Sequence, residues 1–288
     1  MLPFSACVRI KWQKSPFFNS SFINTFPYKY NPCSRPLVTF NHPHRLSTFK
    51  LFKSFSTSSM ADSRPVFFFD IDNCLYPKSK NVHHHMTRLI DDYFMKHFEL
   101  TREDAFKLHQ EYYKNYGLAI EGLIRHHKID PLEYNRQVDD ALPLDEIILP
   151  DPDLRKLLQD LDTTKIKPWL FTNAYVTHGK RVVRLLGVDD LFEGMTFCDY
   201  GANPIVCKPY LKMFQKGMRE AGVKEMKDCY FVDDSDLNCK KAEELGWNTA
   251  HLVEEEEPLP AEKPCKHQIR HLEELRSLFP QFFKSTSA

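Results

Sequence analysis

Asp70 and Asp72 stand two apart, directly after the apolar run Val66-Phe67-Phe68-Phe69. Two carboxylates that close repel one another unless a cation or a proton lies between them. Mg²⁺, a hard ion that takes oxygen ligands, suits such a pair. Further along, Thr172 and Asn173 follow Trp169-Leu170-Phe171, and Asp233 and Asp234 follow Tyr230-Phe231-Val232. Lys208, with Pro209 after it, lies between those two stretches. Acids, a hydroxyl, an amide and an ammonium in this company suit phosphoryl chemistry, where negative charge must be held and a proton moved. An isolated Asp-x-Asp is equally well explained as a polar turn. Three polar strand ends and a lysine are not.

The elements that must position these residues alternate in type. An unbroken apolar run at 65–70 predicts a strand buried on both faces, as in a parallel sheet. Asn73 to Lys80 carries loop residues. From Met86 to Asp140 the periodicity is helical, with Leu89, Ile90, Tyr93 and Phe94 at helical spacing and no strand candidate. Thr101 and Asp130-Pro131 open helices within this span, and Gly117 stops one. Four short helices between the first strand and the next predict an inserted cap. After it, Asp151-Pro152 starts a helix, and 167–173 predicts a strand ending in polar residues. A helix over 178–186 and a short strand over 194–200 follow. Lys208-Pro209 is placed at the N-terminus of a helix that stops at Gly222, and 228–234 predicts a strand ending in acids. A helix closing at Gly246 and a last short strand, 248–253, complete the pattern. The class is α/β, Rossmann-like, with a parallel sheet, helices on both faces and a helical cap. Its strand ends share one edge, where open sheets of this kind bind ligands.

The chain has 288 residues and a formal net charge of zero, unevenly spread. Residues 1–59 are rich in Ser, Thr, Phe and Pro, contain Arg9, Lys11, Lys14, Lys29, Arg35, Arg45, Lys50 and Lys53, and hold no Asp or Glu. That composition predicts an organellar transit peptide, for plastid or mitochondrion, with a disordered extension as the alternative. A chain started at Met60 is expected to stay in the cytoplasm. The remainder is acidic, which argues against a nucleic-acid polymer as partner. No stretch is long and apolar enough for a membrane span. The cysteines form no Cys-x-x-Cys pair and are expected to be reduced and mostly buried. His83-His84-His85 is expected to be a solvated loop, and Glu254 to Glu257 a solvated acidic turn.

The ordered set Asp70/Asp72, Thr172, Lys208, Asp233/Asp234 resembles the four motifs of the haloacid dehalogenase superfamily, over roughly residues 65–253. The segments Phe68 to Tyr76, Phe197-Cys198-Asp199-Tyr200 and Phe231 to Ser235 are similar to the pyrimidine 5′-nucleotidase branch of fungi and plants. Cys74 departs from the broad superfamily, where Thr or Val is common, but fits this branch. The resemblance implies a core of 60–80 and 145–288 with a C1-type cap at 81–144. It implies a Mg²⁺-dependent phosphatase of nucleoside 5′-monophosphates. Asp70 would be the nucleophile and Asp72 the general acid and base. Thr172, Asn173 and Lys208 would hold the phosphate. Asp70, the Asp72 carbonyl and Asp233 would hold Mg²⁺, with Asp234 a water-mediated ligand or a partner of Lys208. An acid at position 72 favours ester hydrolysis over halide release, which needs no proton. Phosphatases of other small metabolites (a sugar phosphate, a lysophospholipid), a phosphomutase and a non-catalytic binding protein are the alternatives. His178, Lys180 and Arg181 follow the Thr172 strand and are candidates to reach substrate.

Overall fold

The computed structural model describes residues 62–285. The transit-type segment and the start at Met60 lie outside the described residues. Strand β1 (Val66–Phe69) is followed by the helices α1 (Val82–Phe98), α2 (Arg102–Tyr116), α3 (Ala119–His126) and α4 (Pro131–Gln137). Two more helices, α5 (Leu144–Ile147) and α6 (Pro152–Gln159), lead to β2 (Lys167–Phe171) and α7 (Val176–Leu185). Then come β3 (Gly194–Thr196), α8 (Leu211–Ala221), β4 (Cys229–Asp233), α9 (Asp236–Glu244), β5 (Asn248–Leu252), β6 (His267–Ile269) and α10 (Leu275–Leu278).

All six strands pair in parallel in the order β3-β2-β1-β4-β5-β6. The apolar run that opens the motif is therefore a central strand of the sheet, between β2 and β4, and each of its residues is buried. Alternation along β1 divides it between two layers. Phe67 and Phe69 pack with Leu154, Leu157 and Leu158 of α6, Val182 and Val183 of α7 and Leu275 of α10. Val66 and Phe68 pack with Met213, Phe214 and Met218 of α8 and Ala242 of α9. Helices thus cover both faces, as the continuous apolar pattern requires.

Helices α1 to α4 form a separate apolar cluster, with Ile90, Tyr93, Phe94, Tyr112, Leu123 and Tyr134 among its members. Cys198, Tyr200, Ile205 and Cys207, from the segment between β3 and α8, complete that cluster. The cap thereby rests on the stretch that carries Lys208. Two sequence features shape it. Gly117 ends α2 at φ +80, a conformation a side chain resists. At Gly122 a Cβ would lie 2.2 Å from the Tyr112 ring, so α3 approaches α2 this closely only with glycine there.

Several expectations need correction. Strand β6 lies beyond the segment taken as the last strand. Strand β3 covers only Gly194–Thr196 of the expected 194–200. His83 to His85 form the first turn of α1, not a loop. Helix α8 begins at Leu211, so Lys208 precedes the helix rather than opening it. Its backbone is otherwise engaged: the Asn173 side chain accepts from the Lys208 N–H at 2.6 Å and donates to its carbonyl at 2.9 Å. Glu254 to Glu257 is a turn, as expected, but not merely solvated, since Glu254 accepts from the Lys78 N–H at 2.8 Å and Glu257 pairs with the Lys78 ammonium. Cys74, Cys198, Cys207, Cys229, Cys239 and Cys265 are free and buried.

Candidate active site

Strands β1, β2 and β4 are neighbours, and their carboxyl ends bring the predicted residues to one rim. At its centre is Lys208, 1 % exposed. Its ammonium donates to Asp70 Oδ1 at 2.6 Å, to Asp233 Oδ2 at 2.6 Å and to the Phe171 carbonyl at 2.8 Å. Three acceptors account for all three ammonium hydrogens. Lys208 therefore ties the ends of β1, β2 and β4 together. The direct phosphate contact expected of it is available only by exchange of one of these bonds.

The two acids respond differently. Asp70 is 6 % exposed, and burial, together with the charges of Asp233, Asp234 and Asp72, pushes its carboxyl well above the usual range against the pull of Lys208. Asp233 is fully buried and saturated with donors. Its Oδ1 accepts from the Ser235 N–H at 2.8 Å, and the Asn238 amide reaches both of its oxygens at 3.1 Å. Burial of Lys208 lowers its affinity for a proton, but Asp233 and Asp70 outweigh that and hold it firmly charged.

Asp70, Asp233 and Asp234 offer carboxylate oxygens all within 4.8 Å of one another. Asp234, left in the sequence as a possible partner of Lys208, instead pairs with Lys78 at 3.3 Å. Burial and the neighbouring Asp233 raise its carboxyl to about 7. Three hard oxygen donors crowded at this distance, two of them displaced upward in pKa, fit a divalent cation. Asp234 has more oxygen to give than Asp233, whose two oxygens already accept from Lys208, Ser235 and Asn238.

Asp72 lies in the turn after β1, not on an extended continuation of it. Its carboxylate is not among the three that crowd together. Oδ1 accepts from the Tyr76 hydroxyl at 2.6 Å and from His178 Nε2 at 2.7 Å. Burial alone raises the Asp72 carboxyl, but the charge and hydrogen bond of His178, with that of Tyr76, outweigh it and the net displacement is downward. The Asp72 side chain remains 32 % exposed, at the rim.

Thr172 is buried, and its Oγ1 accepts from the Ala174 N–H at 2.9 Å, which leaves the hydroxyl hydrogen to donate. Asn173 braces Lys208 through its side chain, so its amide group is structural and only its backbone N–H remains for phosphate. Of the three residues following β2, His178 joins the site through Asp72. Lys180 is exposed. Arg181 is used on the Leu142 carbonyl at 3.0 Å and on Asp145.

Above the rim lies a cavity of about 190 Å³ between cap and core. Asp72, His83, His109, Tyr113, Asp139 and Tyr200 are among its lining residues. His109 is held from behind by Asp91, Nδ1 to Oδ1 at 3.0 Å. Asp139 is 3 % exposed, and one of its carboxylate oxygens is buried without a partner. Burial raises its carboxyl to about 6. Sequence reasoning passed over Tyr76, His109 and Asp139. Tyr76 is four residues from Asp72, but nothing in its type signals the contact. Asp139 was readable only as an acid at the end of a helical span.

The model of the haloacid dehalogenase-like hydrolases matches residues 65–246. Phosphate metabolism protein 8 of Saccharomyces cerevisiae is 39 % identical over 203 residues, 67 % of this chain. That match spans 63 % of the yeast protein's length. Glyceraldehyde 3-phosphate phosphatase of Methanocaldococcus jannaschii is 25 % identical over 194 residues, 64 % of this chain and 83 % of the archaeal one. Among solved structures, a HAD phosphatase from Thermococcus onnurineus superposes with a TM-score of 0.52 at 16 % identity, covering 74 % of this chain and 97 % of the other.

Proposed function

The chain belongs to the haloacid dehalogenase-like hydrolases, and from this premise we propose that it is a phosphoric monoester hydrolase acting on nucleoside 5′-monophosphates with Mg²⁺. The observation that carries the phosphatase chemistry is the Lys208 ammonium, 2.6 Å from both Asp70 and Asp233, with Asp72 at the same rim. Asp70 attacks phosphorus, a bond forms from its carboxylate oxygen, and the bond to the ester oxygen breaks. Asp72 gives its proton to the departing alkoxide. It then takes a proton from the water that attacks the aspartyl-phosphate, which frees inorganic phosphate and restores Asp70. The Thr172 hydroxyl and the Asn173 N–H bind the phosphoryl oxygens, and Lys208 fixes Asp70 for attack.

Asp70 and Asp234, with the Asp72 carbonyl, would hold Mg²⁺, and Asp233, its oxygens already engaged by Lys208, Ser235 and Asn238, would support them from behind. Bound there, the ion supplies positive charge against the phosphoryl oxygens and favours ionised Asp70. The nucleoside assignment is supported by the sequence likeness and by the cavity beside Asp72, whose lining combines aromatic and aliphatic side chains with a few polar groups, as a base and sugar require.

The test is a panel of esters with the full chain and Mg²⁺: nucleoside 5′-monophosphates, sugar phosphates and a lysophosphatidate, read by phosphate release. The nucleotides are expected to give the highest kcat/KM. A sugar phosphate or lysophosphatidate turned over about tenfold better, a difference of about 1.4 kcal/mol, would replace the nucleoside assignment. Asp70→Asn is expected to remove turnover with an unchanged circular dichroism spectrum. Near wild-type activity in that variant would overturn the chemistry itself.

A further inference from the structure

We propose that His178 and Tyr76 form a clamp that positions the Asp72 carboxylate for proton transfer, with Oδ1 tied and Oδ2 left as the transferring atom. The proposal rests on the phosphatase reading, in which Asp72 is the acid and base.

Asp72 sits in a turn with its side chain at the rim, so nothing in the backbone alone fixes its rotamer. Two donors from different parts of the chain converge on one of its oxygens. Tyr76 comes from the same turn, at 2.6 Å. His178 comes from α7, at 2.7 Å, and is 2 % exposed. Against a carboxylate oxygen both groups must donate. The other ring nitrogen of His178, Nδ1, is buried without a partner, so the ring's hydrogen bonding is spent on Asp72.

The helix is built to deliver this contact. Val182 and Val183 anchor α7 in the main core. Gly179, next to His178, lets the helix close on the Asp72 loop, since a Cβ there would lie 3.2 Å from Ile71 Cδ1 and 3.0 Å from Met195 Sδ. With Oδ1 already receiving two hydrogens, the acidic proton of Asp72 belongs on Oδ2. A general acid must come within about 2.6–3.2 Å of the atom it protonates, so a carboxylate free to rotate would spend part of its time out of reach. The clamp removes that freedom. His178 is thus a positioning residue for the acid, not a contact for the substrate.

The experiment compares an ester that needs the proton with one that does not. Uridine 5′-monophosphate leaves as an alkoxide, whereas p-nitrophenyl phosphate leaves as a stabilised phenolate. The quantity read is kcat/KM, which reports the steps through transfer to Asp70 and is not blurred by hydrolysis of the intermediate. His178→Ala is expected to lose about 10- to 100-fold on the nucleotide, a part of the 10²–10⁴ that general acid catalysis supplies, and less than about 3-fold on the aryl ester. His178→Gln, which keeps a donor near the Nε2 position, is expected to regain most of the loss. Tyr76→Phe should show the same selectivity at smaller size. Asp72→Asn sets the full ratio between the two esters. If His178→Ala loses equally on both esters while Asp72→Asn does not, the clamp is overturned and the phosphatase reading stands. If Asp72→Asn itself shows no selectivity, the acid assignment fails and the clamp fails with it. If His178→Ala does not fold, His178→Gln and Tyr76→Phe decide by the same ratio, and a ratio of one in Tyr76→Phe rejects its half of the clamp.

Discussion

Lys208→Met removes one charge and little volume from the centre of the rim. The side chain is 1 % exposed, so solvent screens almost none of the loss. Its two carboxylate partners stand at 2.6 Å each, and taking away one member of a buried pair costs about 3–5 kcal/mol because the remaining charge is left uncompensated. For a folded unit of this size each kcal/mol moves Tm by about 2–4 °C, so the expected loss is about 6–20 °C. The loss depends on pH, and its sign follows from Asp70. Its folded pKa already lies above the unfolded value, raised by burial and by Asp233, Asp234 and Asp72 against Lys208. Without Lys208 that upward push is unopposed. A carboxyl raised in the folded state costs nothing below its unfolded pKa, where both states are protonated, and costs progressively more as pH rises through the folded pKa. The variant's deficit should therefore be smallest at acid pH, near the ordinary carboxyl range, and grow towards alkaline pH. Calorimetry of wild type and variant in EDTA from acid to alkaline pH reads it directly. Adding Asp70→Asn should shrink the cost of Lys208→Met, since one of the two stranded charges is then gone. A deficit below about 2 °C at alkaline pH, or one that narrows as pH rises, would refute the account of Lys208 as the charge that holds the three strand ends together.

Two further outcomes follow from the same geometry. Asp234→Ala should raise the Mg²⁺ concentration needed for half-maximal activity by about tenfold or more with little change of Tm in EDTA, because its carboxylate pairs with the partly exposed Lys78 at 3.3 Å; Asp233→Ala should lower Tm in EDTA before metal enters the question, and the reverse pattern would return the direct metal contact to Asp233. We also propose that residues 1–59 carry an organellar address, so a full-length fluorescent fusion should localise to plastid or mitochondrion and a fusion started at Met60 should not; identical cytosolic signals from both would remove the address.

What was legible in the sequence is what parallel sheets force onto it. A strand covered on both faces has to be apolar throughout, so Val66–Phe69 announced itself, and the polar residues just beyond β1, β2 and β4 stood out by contrast. The cap helices carry local signals, with Thr101 and Asp130 as caps and Gly117 as a stop. Strand β6 was invisible because it is a three-residue edge strand, His267–Ile269, with no alternation to detect. The start of α8 was misplaced because Pro209 is a fair signal for a first helical turn, while the side chain that holds Lys208 out of the helix, Asn173, lies far away in the sequence. The same limit applies to the acid. Its contact with His178 spans 106 residues, and only the packing of α7 beside the β1 loop brings the two together.

The charges at the rim carry one more consequence. Asp70, Asp233 and Asp234 face each other across less than 5 Å, with Lys208 and Lys78 as the nearby cations. Lys208 has no hydrogen left to offer, and Lys78 is shared with Glu257. A phosphate monoester brings about 1.5–2 further negative charges to this place. The protein's own cations do not meet that demand, so its carboxylates alone oppose the substrate that the other features suit. A divalent cation held there would reverse the local sign and favour the ionised forms of Asp70 and Asp234, while the Asp72 carboxylate, as distinct from its carbonyl, stays on His178 and Tyr76. In the proposed mechanism, that separation lets one rim hold a nucleophile that must stay ionised and an acid that must exchange its proton, only two residues apart in the chain.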